Sequence, residues 1–101
     1  MIVVNAVIES SEEDIRMLKT AIADMEAASR QEAGCFDYTF SVVLNQPGTL
    51  RVTECWESME ALNAHFNEPH MALFQAALAA HPPKSVAAKF YDANEVVPPG
   101  F

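Results

Sequence analysis

The amino-acid sequence predicts an α+β sandwich in which two helices cover one face of a four-stranded antiparallel sheet. Three observations lead to this fold class: four segments are patterned like β-strands, two have the periodicity of amphipathic helices, and their order is strand, helix, strand, strand, helix, strand. The chain has 101 residues, is 50% hydrophobic and contains 3 glycines, which is a globular composition with room for one core. We expect a single domain over residues 1–101.

The first strand is predicted over Ile2 to Glu9, where nearly every residue is apolar and most are β-branched. Such a strand is expected to have both faces covered. Val3, Asn5 and Val7 share one face, and Asn5 is the strongly polar residue in the middle of the strand. If Val3 and Val7 face the helices, Asn5 faces them too.

A helix is predicted to begin after Ser10 and Ser11, because Glu13 and Asp14 follow at the spacing of a capping box. Apolar residues then recur at steps of three and four and mark the side that faces the core. We expect this helical segment to end at Gly34. The apolar stripe consists of Ile15, Leu18, Ile22 and Met25.

The second and third strands are predicted to form a hairpin. The segments Cys35–Val43 and Leu50–Trp56 both alternate in hydrophobicity, which is typical of half-buried strands. Residues 45–48 (Asn-Gln-Pro-Gly) lie between them and predict a type II turn, because proline presets one dihedral angle and glycine adopts the positive φ that this turn needs. Glu54 and Trp56 lie two residues apart and therefore on one face of the third strand.

The second helix is predicted to begin at a Ser58 cap and to be interrupted near Pro69, where a fresh first turn can begin. The proline pair at 82–83 ends it. Ser85 to Tyr91 alternates again and is the last strand. Residues 91–101 are expected to form an extended, apolar tail.

This order of elements is the split βαβ arrangement of a ferredoxin-like fold. Two helices can cover only one face of a four-stranded sheet. The other face also carries apolar residues, which in a monomer would form an exposed patch. We therefore expect a second copy of the chain to cover that face, which gives a homodimer.

The charge of the chain excludes several classes of partner. The 6 basic and 14 acidic residues give a net charge of −8, which repels phosphate backbones and anionic membrane surfaces. Neither nucleic acid nor a membrane is expected as a partner. No apolar run approaches the roughly 18 residues of a membrane span and no leader pattern is present, so the expected compartment is the cytoplasm. Cys35 and Cys55 lack paired spacing and are expected to be free thiols.

Motifs for metals and common cofactors are also missing from the sequence. His65, His70 and His81 do not supply a pair at i and i+4, and no cysteine pair has zinc spacing, so no metal site is expected. The sequence contains no GxGxxG, Walker loop or GxSxG pattern. Hydride transfer and triad hydrolysis therefore have no support.

Three segments resemble the antibiotic biosynthesis monooxygenase family, which includes small quinol monooxygenases. Gln31–Tyr38 is similar to the family's E-x-G-C-x-x-Y pattern before and within the second strand. Glu54–Phe66 contains the strand-end E-x-W and the helical A-L-x-x-H, and Pro69-His70-Met71 adds the P-H pair. The resemblance spans almost the whole chain and agrees with the order of elements.

The resemblance implies a dimeric α+β barrel, in which two sheets pack together and each subunit keeps a pocket between its sheet and helices. It also implies a monooxygenase that uses no metal, flavin or other cofactor, because an electron-rich phenol or hydroquinone supplies the electrons for O2. Such a site needs a base, an apolar pocket that excludes water, and donors for developing oxyanions. The implied partners are a small aromatic substrate and O2.

Asn5 and His65 are the leading catalytic candidates. The amide of Asn5 either binds a substrate oxygen, as the resemblance implies, or pairs with a neighbouring loop or a water. The imidazole of His65 titrates near neutral pH and could accept a phenolic proton or orient a phenolate. The alternative for His65 is a structural role on the buried side of its helix.

The remaining candidates are expected to bind substrate. Glu54 beside Trp56 should be partly desolvated, with a raised pKa that suits proton transfer, unless Arg51 or another basic residue neutralises it. Tyr38 adds a phenol, and His70 adds an imidazole at the start of a helical turn. A structural role in the core or at a helix end is the alternative for each. The full set is Tyr38, Glu54, Trp56, Phe66, His70, Met71 and Phe74.

Three other functions on the same fold are alternatives. Haem degradation pairs a strand asparagine with a tryptophan and an axial histidine, but His65 stands where that tryptophan is expected and Gln75 where the histidine is expected. An isomerase of a phosphorylated dione needs a cationic site, for which Arg51, Lys84 and Lys89 offer little. A non-catalytic module would hold a small hydrophobic molecule in the same pocket.

Overall fold

The computed structural model describes residues 1–101 and contains four strands and three helices. The strands form one sheet in the order β2-β3-β1-β4, and all neighbouring strands are antiparallel, which confirms the predicted ferredoxin-like α+β fold. None of the helices is both long and apolar enough to cross a membrane. In chain order the elements are β1 (Ile2–Glu9), α1 (Glu12–Arg30), β2 (Cys35–Val43), β3 (Gln46–Trp56), α2 (Met59–Phe66), α3 (Pro69–Ala80) and β4 (Ser85–Asp92).

Serine caps begin the first two helices, as predicted. The side chain of Ser11 accepts a hydrogen bond from the backbone N–H of Asp14 at 3.1 Å. The side chain of Ser58 accepts one from the backbone N–H of Ala61 at 3.2 Å. Each bond satisfies a donor that the first turn of a helix leaves free, and therefore fixes where the helix starts.

The second predicted helix is divided into α2 and α3. Glu68 has φ −73 and ψ 145, so the backbone leaves the helical conformation there. A following proline disfavours helical dihedrals in the residue before it, and Pro69 then begins α3 because its missing N–H is not needed in a first turn. The interruption expected near Pro69 is confirmed.

Gly34 holds the loop between α1 and β2 against the start of α2. Its φ of +79 is a conformation that favours glycine, and a Cβ at this position would lie 2.9 Å from the Cβ of Ala61. The carbonyl of Gly34 accepts a hydrogen bond from the backbone N–H of Glu57 at 2.7 Å. Helix α1 ends at Arg30, before the predicted end at Gly34, so the intervening loop carries Glu32 towards α2.

The turn predicted over residues 45–48 is wrong. The two residues after Val43 form the turn, and β3 begins at Gln46, which pairs with Val43. Gly48 lies within β3 without a positive φ, and its carbonyl accepts a hydrogen bond from the backbone N–H of Ser10 at 2.8 Å. A Cβ on Gly48 would lie 3.1 Å from the carbonyl oxygen of Ser10, so this glycine serves a close approach of two backbones and not a type II turn.

The core lies between the sheet and the helices, and it determines which face of β1 is covered. Asn5 is exposed on the opposite face, where its partners across the sheet are Thr53 and Lys89. The expectation that Asn5 faces the helices is therefore wrong, because the alternate, wholly apolar face of β1 packs into the core. The buried residues of β1 are Ile2, Val4, Ala6 and Ile8.

The face of the sheet opposite the helices is uncovered in the single chain. Phe36 is exposed there beside half-buried Cys55, and Tyr91 is exposed on the same face, opposite Val3 in the β1–β4 pairing. Cys35 and Cys55 are free thiols, as predicted. Arg51 is exposed on this face too, so it does not neutralise Glu54, which points into the core.

Candidate functional site

A cavity of about 210 Å³ lies between the sheet and helices α2 and α3. Of the 15 residues that line this apolar pocket, 13 are hydrophobic. Its volume is below the roughly 300–1,000 Å³ of pockets for drug-sized ligands and close to that of an engineered cavity that holds benzene, so it suits a small molecule. The predicted substrate-binding residues on its wall are Tyr38, Glu54, Phe66, Met71 and Phe74.

The open side of the apolar pocket is formed by β4, the strand at the edge of the sheet. Val86 and Phe90 both line the pocket and are more than half exposed, at 57% and 51%. Phe66 at the end of α2 is also partly exposed. A ligand can therefore enter beside β4, while the opposite end of the pocket is closed by the core.

Glu54 is the only carboxylate on the wall of the apolar pocket. Its side chain accepts a hydrogen bond from Nε1 of Trp56 at 2.9 Å. Burial raises the pKa of Glu54, and the bond from Trp56 and the nearby His65 only partly oppose that rise. The carboxyl is thus a stronger base than a surface glutamate, which agrees with the raised pKa predicted from its neighbours.

Tyr38 supplies a phenol on the same wall and is almost fully buried. Burial raises its pKa well above the usual value, and the negative charges of Glu54 and Glu32 add to the rise. The hydroxyl therefore stays protonated at neutral pH and can act as a hydrogen-bond donor. The Tyr38 ring lies edge-on to Trp56, with centroids 6.4 Å apart.

Behind this wall lies a buried cluster of Glu32, His65 and His70. Nδ1 of His65 and Nε2 of His70 lie 2.6 Å and 2.7 Å from the same atom, Oε2 of Glu32. Exposure of the side chains increases outwards, from 1% for His65 to 9% for Glu32 and 18% for His70. We call these three residues the His–Glu–His cluster.

The His–Glu–His cluster contacts the pocket wall through the ring of His65. The centroid of this ring lies 4.7 Å from that of Trp56 and 5.3 Å from that of Tyr38. His65 itself does not line the apolar pocket. It therefore cannot contact a ligand there, but its charge acts on Glu54.

The donor atoms of the cluster lie within 4.8 Å of one another, and two imidazoles and a carboxylate are ligands that zinc and similar ions accept. The sequence does not predict this convergence, because the two histidines lack the i and i+4 spacing and Glu32 stands out only as part of the E-x-G-C-x-x-Y pattern. The separations of 2.6 Å and 2.7 Å are hydrogen-bond lengths, whereas ligands of one tetrahedral zinc ion lie about 3.3 Å apart. The arrangement shown is thus a hydrogen-bonded network.

Besides His65, the structure places three predicted site residues away from the apolar pocket. Trp56 has no exposed surface and lies behind the wall, where it orients Glu54. His70 lines a separate cavity of about 250 Å³ between α1 and α3, together with Asp24 and other residues. Asn5 lies on the far side of the sheet.

A comparison with models of protein families identifies the family of this chain. The model of antibiotic biosynthesis monooxygenases matches residues 1–77, which include the His–Glu–His cluster and most of the apolar pocket. The chain belongs to the antibiotic biosynthesis monooxygenase family. The resemblance noted in the sequence is thereby confirmed. A search of curated proteins finds no match.

Solved structures support the fold of this family member over nearly its whole length. A Deinococcus radiodurans protein, provisionally described as an antibiotic biosynthesis monooxygenase, is 28% identical with a TM-score of 0.88, over 97% of each chain. A Caulobacter crescentus protein with the same provisional description is 24% identical with a TM-score of 0.84, over 93% of this chain and 90% of that one. A Mycobacterium tuberculosis protein is 22% identical with a TM-score of 0.83, over 96% and 98%. The last two are similar to this family member in fold alone.

Proposed function

We propose that this family member is a monooxygenase that oxidises a small phenol or hydroquinone with O2 in the apolar pocket, without a metal or flavin. The observation that carries the proposal is one buried carboxylate, Glu54, on the wall of a small and otherwise apolar pocket. Family membership supports the reaction class. The volume of the pocket supports a substrate with a single aromatic ring.

Glu54 is the base in the proposed mechanism. Triplet O2 reacts slowly with neutral closed-shell molecules, and a phenolate is oxidised more readily than a phenol. Burial brings the pKa of Glu54 closer to that of a phenol, about 10, so transfer of the phenolic proton to Glu54 is less unfavourable than transfer to a surface carboxylate. We therefore assign the role of base to Glu54 and not to His65, because His65 does not line the pocket.

Oxidation of the substrate accounts for the atoms and electrons of the reaction with O2. When a hydroquinone becomes a hydroxyquinone, one atom of O2 forms a new bond to a ring carbon and the other leaves as water. All the electrons that reduce O2 come from the substrate, so no separate electron donor is required. Protonated Tyr38 can donate a hydrogen bond to an oxyanion that develops on the ring, and the apolar walls strengthen this interaction by excluding water.

Three apolar side chains would hold the substrate ring. Phe66, Met71 and Phe74 extend from α2 and α3 onto the pocket wall opposite the sheet. Aromatic rings and the methionine thioether both make favourable contacts with an aromatic ligand. Their place on the wall supports the prediction that they bind substrate.

The pocket wall gives no support to two of the alternatives. No lysine or arginine lines the apolar pocket, so a phosphorylated dione would meet no positive charge there. Gln75 lines the pocket as an amide, at the position where haem degradation would need an axial histidine. The remaining alternative is a binding module without catalysis, and an experiment has to distinguish it from the monooxygenase.

We also propose that the protein works as a homodimer joined through the uncovered face of the sheet. Phe36 and Tyr91 expose 62% and 47% of their surface on or beside that face. A second copy would remove this apolar area from water.

Light scattering on the native protein should give twice the mass of the chain, and Tyr91→Lys should shift the measured mass towards that of the monomer. A monomeric native protein would contradict the proposal.

The test of the activity is oxygen uptake by chelator-treated protein with a panel of hydroquinones and phenols, corrected for spontaneous autoxidation. Glu54→Gln keeps the shape and the acceptor for Trp56 but removes the base, so we expect uptake to fall by about 10²-fold or more. Glu60→Gln, an exposed carboxylate on α2, is the matched control and should keep full activity.

Binding of the same compounds is measured in parallel by calorimetry. Lost turnover with retained affinity in Glu54→Gln supports a catalytic carboxylate. Saturable binding with no protein-dependent oxygen uptake in the native protein would refute the monooxygenase and support a binding module.

A further inference from the structure

We propose that the chain has a second binding site, for a small carboxylate with an apolar body, in a cavity between α1 and β2. The cavity has a volume of about 210 Å³, and five of the eight residues that line it are hydrophobic. Unlike the apolar pocket, it carries two basic side chains, those of Arg16 and Lys19 on α1, and no acidic one. We call this cavity the α1–β2 pocket.

Side chains of α1 satisfy the backbone groups on the outer side of β2. This strand is at the edge of the sheet, so every second residue directs its N–H and C=O away from β3 and towards no other strand. Nε of Arg30 donates a hydrogen bond to the carbonyl oxygen of Tyr38 at 2.9 Å. Oε2 of Glu26 accepts one from the backbone N–H of Phe40, also at 2.9 Å.

The backbone N–H of Val42 is the next group in this series, and α1 offers it no acceptor. It points away from β3 like that of Phe40, because the N–H groups of alternate residues in a strand point the same way. One helical turn advances about 5.4 Å and two strand residues about 6.8 Å, so the α1 residue next to Val42 is Ile22, one turn before Glu26. Ile22 lines the α1–β2 pocket and has no polar atom in its side chain. A ligand oxygen in the pocket could therefore accept the hydrogen bond that α1 does not supply.

Arg16 and Lys19 supply the charge that favours an anion in the α1–β2 pocket. They lie three residues apart and therefore on the same side of α1. Both are exposed, and neither forms an ion pair within the chain. The whole chain has 6 basic residues and a net charge of −8. Two unpaired cations beside one cavity thus create a local positive potential on an acidic protein.

The apolar walls determine the rest of the ligand. Ile15, Ile22 and the fully buried Leu50 line the α1–β2 pocket. Its volume is close to that of an engineered cavity that holds benzene, so it suits one ring or a short branched chain. A carboxylate on such a body would have its oxygens near the N–H of Val42 and its charge near the cations of α1. Inorganic phosphate has no apolar body and would leave these walls uncovered.

The α1–β2 pocket and the apolar pocket are separate spaces with one wall in common. Phe40 is the residue that lines both. Ile15 and Ile22 line only the α1–β2 pocket, whereas Leu78 and Val86 line only the apolar pocket. The second site is therefore distinct from the site of the proposed oxidation, and its existence does not depend on that activity.

Titration with benzoate tests the proposal, followed by NMR of protein with ¹³C-labelled methyl groups. We expect saturable shifts of the Ile15 and Ile22 methyl signals at benzoate concentrations that leave those of Leu78 and Val86 unchanged. Benzamide has nearly the same shape without the charge, and its affinity should be about tenfold lower. Inorganic phosphate should weaken benzoate binding no more than sodium chloride does at the same ionic strength.

Three variants test the groups that would hold the carboxylate. Arg16→Gln and Lys19→Gln should each weaken benzoate binding by about threefold, because each removes one exposed ion pair. Val42→Pro removes the backbone N–H and should weaken binding by about tenfold; an edge strand accepts proline where the N–H points outwards. Lys84→Gln removes an exposed lysine outside the α1–β2 pocket and is the matched control, with a change of less than about twofold. Amide spectra show whether each variant is folded, and the two exposed α1 positions keep the test decisive if Val42→Pro is not.

Equal affinities for benzoate and benzamide would overturn the proposal, as would unchanged benzoate affinity in Arg16→Gln, Lys19→Gln or a folded Val42→Pro. Shifts confined to Leu78 and Val86 would also overturn it, because benzoate would then occupy the apolar pocket. Light scattering tests whether a second copy of the chain covers the α1–β2 pocket instead. A lower mass for Lys19→Gln than for the native protein would indicate such an interface and contradict a small-molecule site.

Discussion

Replacement of Trp56 by phenylalanine should destabilise the protein more at high pH than at low pH. The change removes the indole N–H that donates to Glu54 at 2.9 Å and keeps an aromatic ring in the core. Besides this bond, the nearby His65 partly offsets the burial of Glu54, whereas Arg51 lies on the opposite face. The variant therefore isolates the contribution of one buried hydrogen bond to a carboxylate.

The magnitude depends on the protonation of Glu54. A hydrogen bond to a charged group contributes about 1.5–3 kcal/mol, and one between neutral groups about 0.5–1.5 kcal/mol. The raised pKa means that the folded state holds the Glu54 proton more tightly than the unfolded chain does, so stability from this group is present at low pH and is lost as pH rises through that pKa. Loss of the indole donor raises the pKa further, and the variant should lose about 1 kcal/mol more at pH 8 than at pH 4.

Urea unfolding at both pH values measures this difference. The other carboxylates titrate equally in the native protein and the variant, so they cancel from the comparison, as does the packing lost with the larger ring. In a Glu54→Gln background the pH dependence of Trp56→Phe should disappear. Equal destabilisation at pH 4 and pH 8 in the native background would refute the assignment of a raised pKa to an indole-bonded Glu54.

Three further predictions concern other parts of the chain. Gly34→Ala should cost about 1–2 kcal/mol from its backbone conformation alone, with more from the contact with Ala61, and urea unfolding measures it. Burial raises the pKa of Cys35 from 9.0 to about 11. Alkylation of Cys35 by iodoacetamide at pH 8 should therefore be about 100-fold slower than that of an ordinary thiol, and it should still accelerate above pH 10. Mass spectrometry of Cys55→Ser protein, in which Cys35 is the remaining thiol, measures this rate. Asn5→Ala should change oxygen uptake less than about twofold, because Asn5 faces away from the apolar pocket; a loss comparable to that of Glu54→Gln would contradict the described site.

The fold could be predicted from the sequence because its signals are local. Serine caps, proline breaks and the alternation in each strand depend on residues a few positions apart, and β1 and β2 have the predicted bounds. The orientation of Asn5 could not be predicted, because both faces of β1 are apolar and the pattern does not choose between them. The turn before β3 was misplaced because Gly48 serves a contact with Ser10, a residue far away in sequence.

Part of the candidate site could be predicted, because the signals for that part are local as well. The residues on the wall of the apolar pocket follow from the alternation of β3 and the periodicity of α3, so Glu54, Met71 and Phe74 were found. Glu32 was missed as a site residue because its role depends on two histidines more than 30 positions away, with separations of 33 and 38 residues. The separation of His65 from the pocket is likewise a matter of tertiary packing.

The short junction between α2 and α3 limits how this part of the chain can vary. On one continuous helix, side chains five residues apart point about 140° away from each other, since each residue turns the helix by about 100°. His65 and His70 nevertheless meet at one oxygen, because the extended backbone at Glu68 resets the direction of the second helix. Insertion or deletion of a single residue here would rotate one imidazole away from Glu32. The junction should therefore accept changes of residue type at its exposed positions but not changes of length, unlike most surface loops.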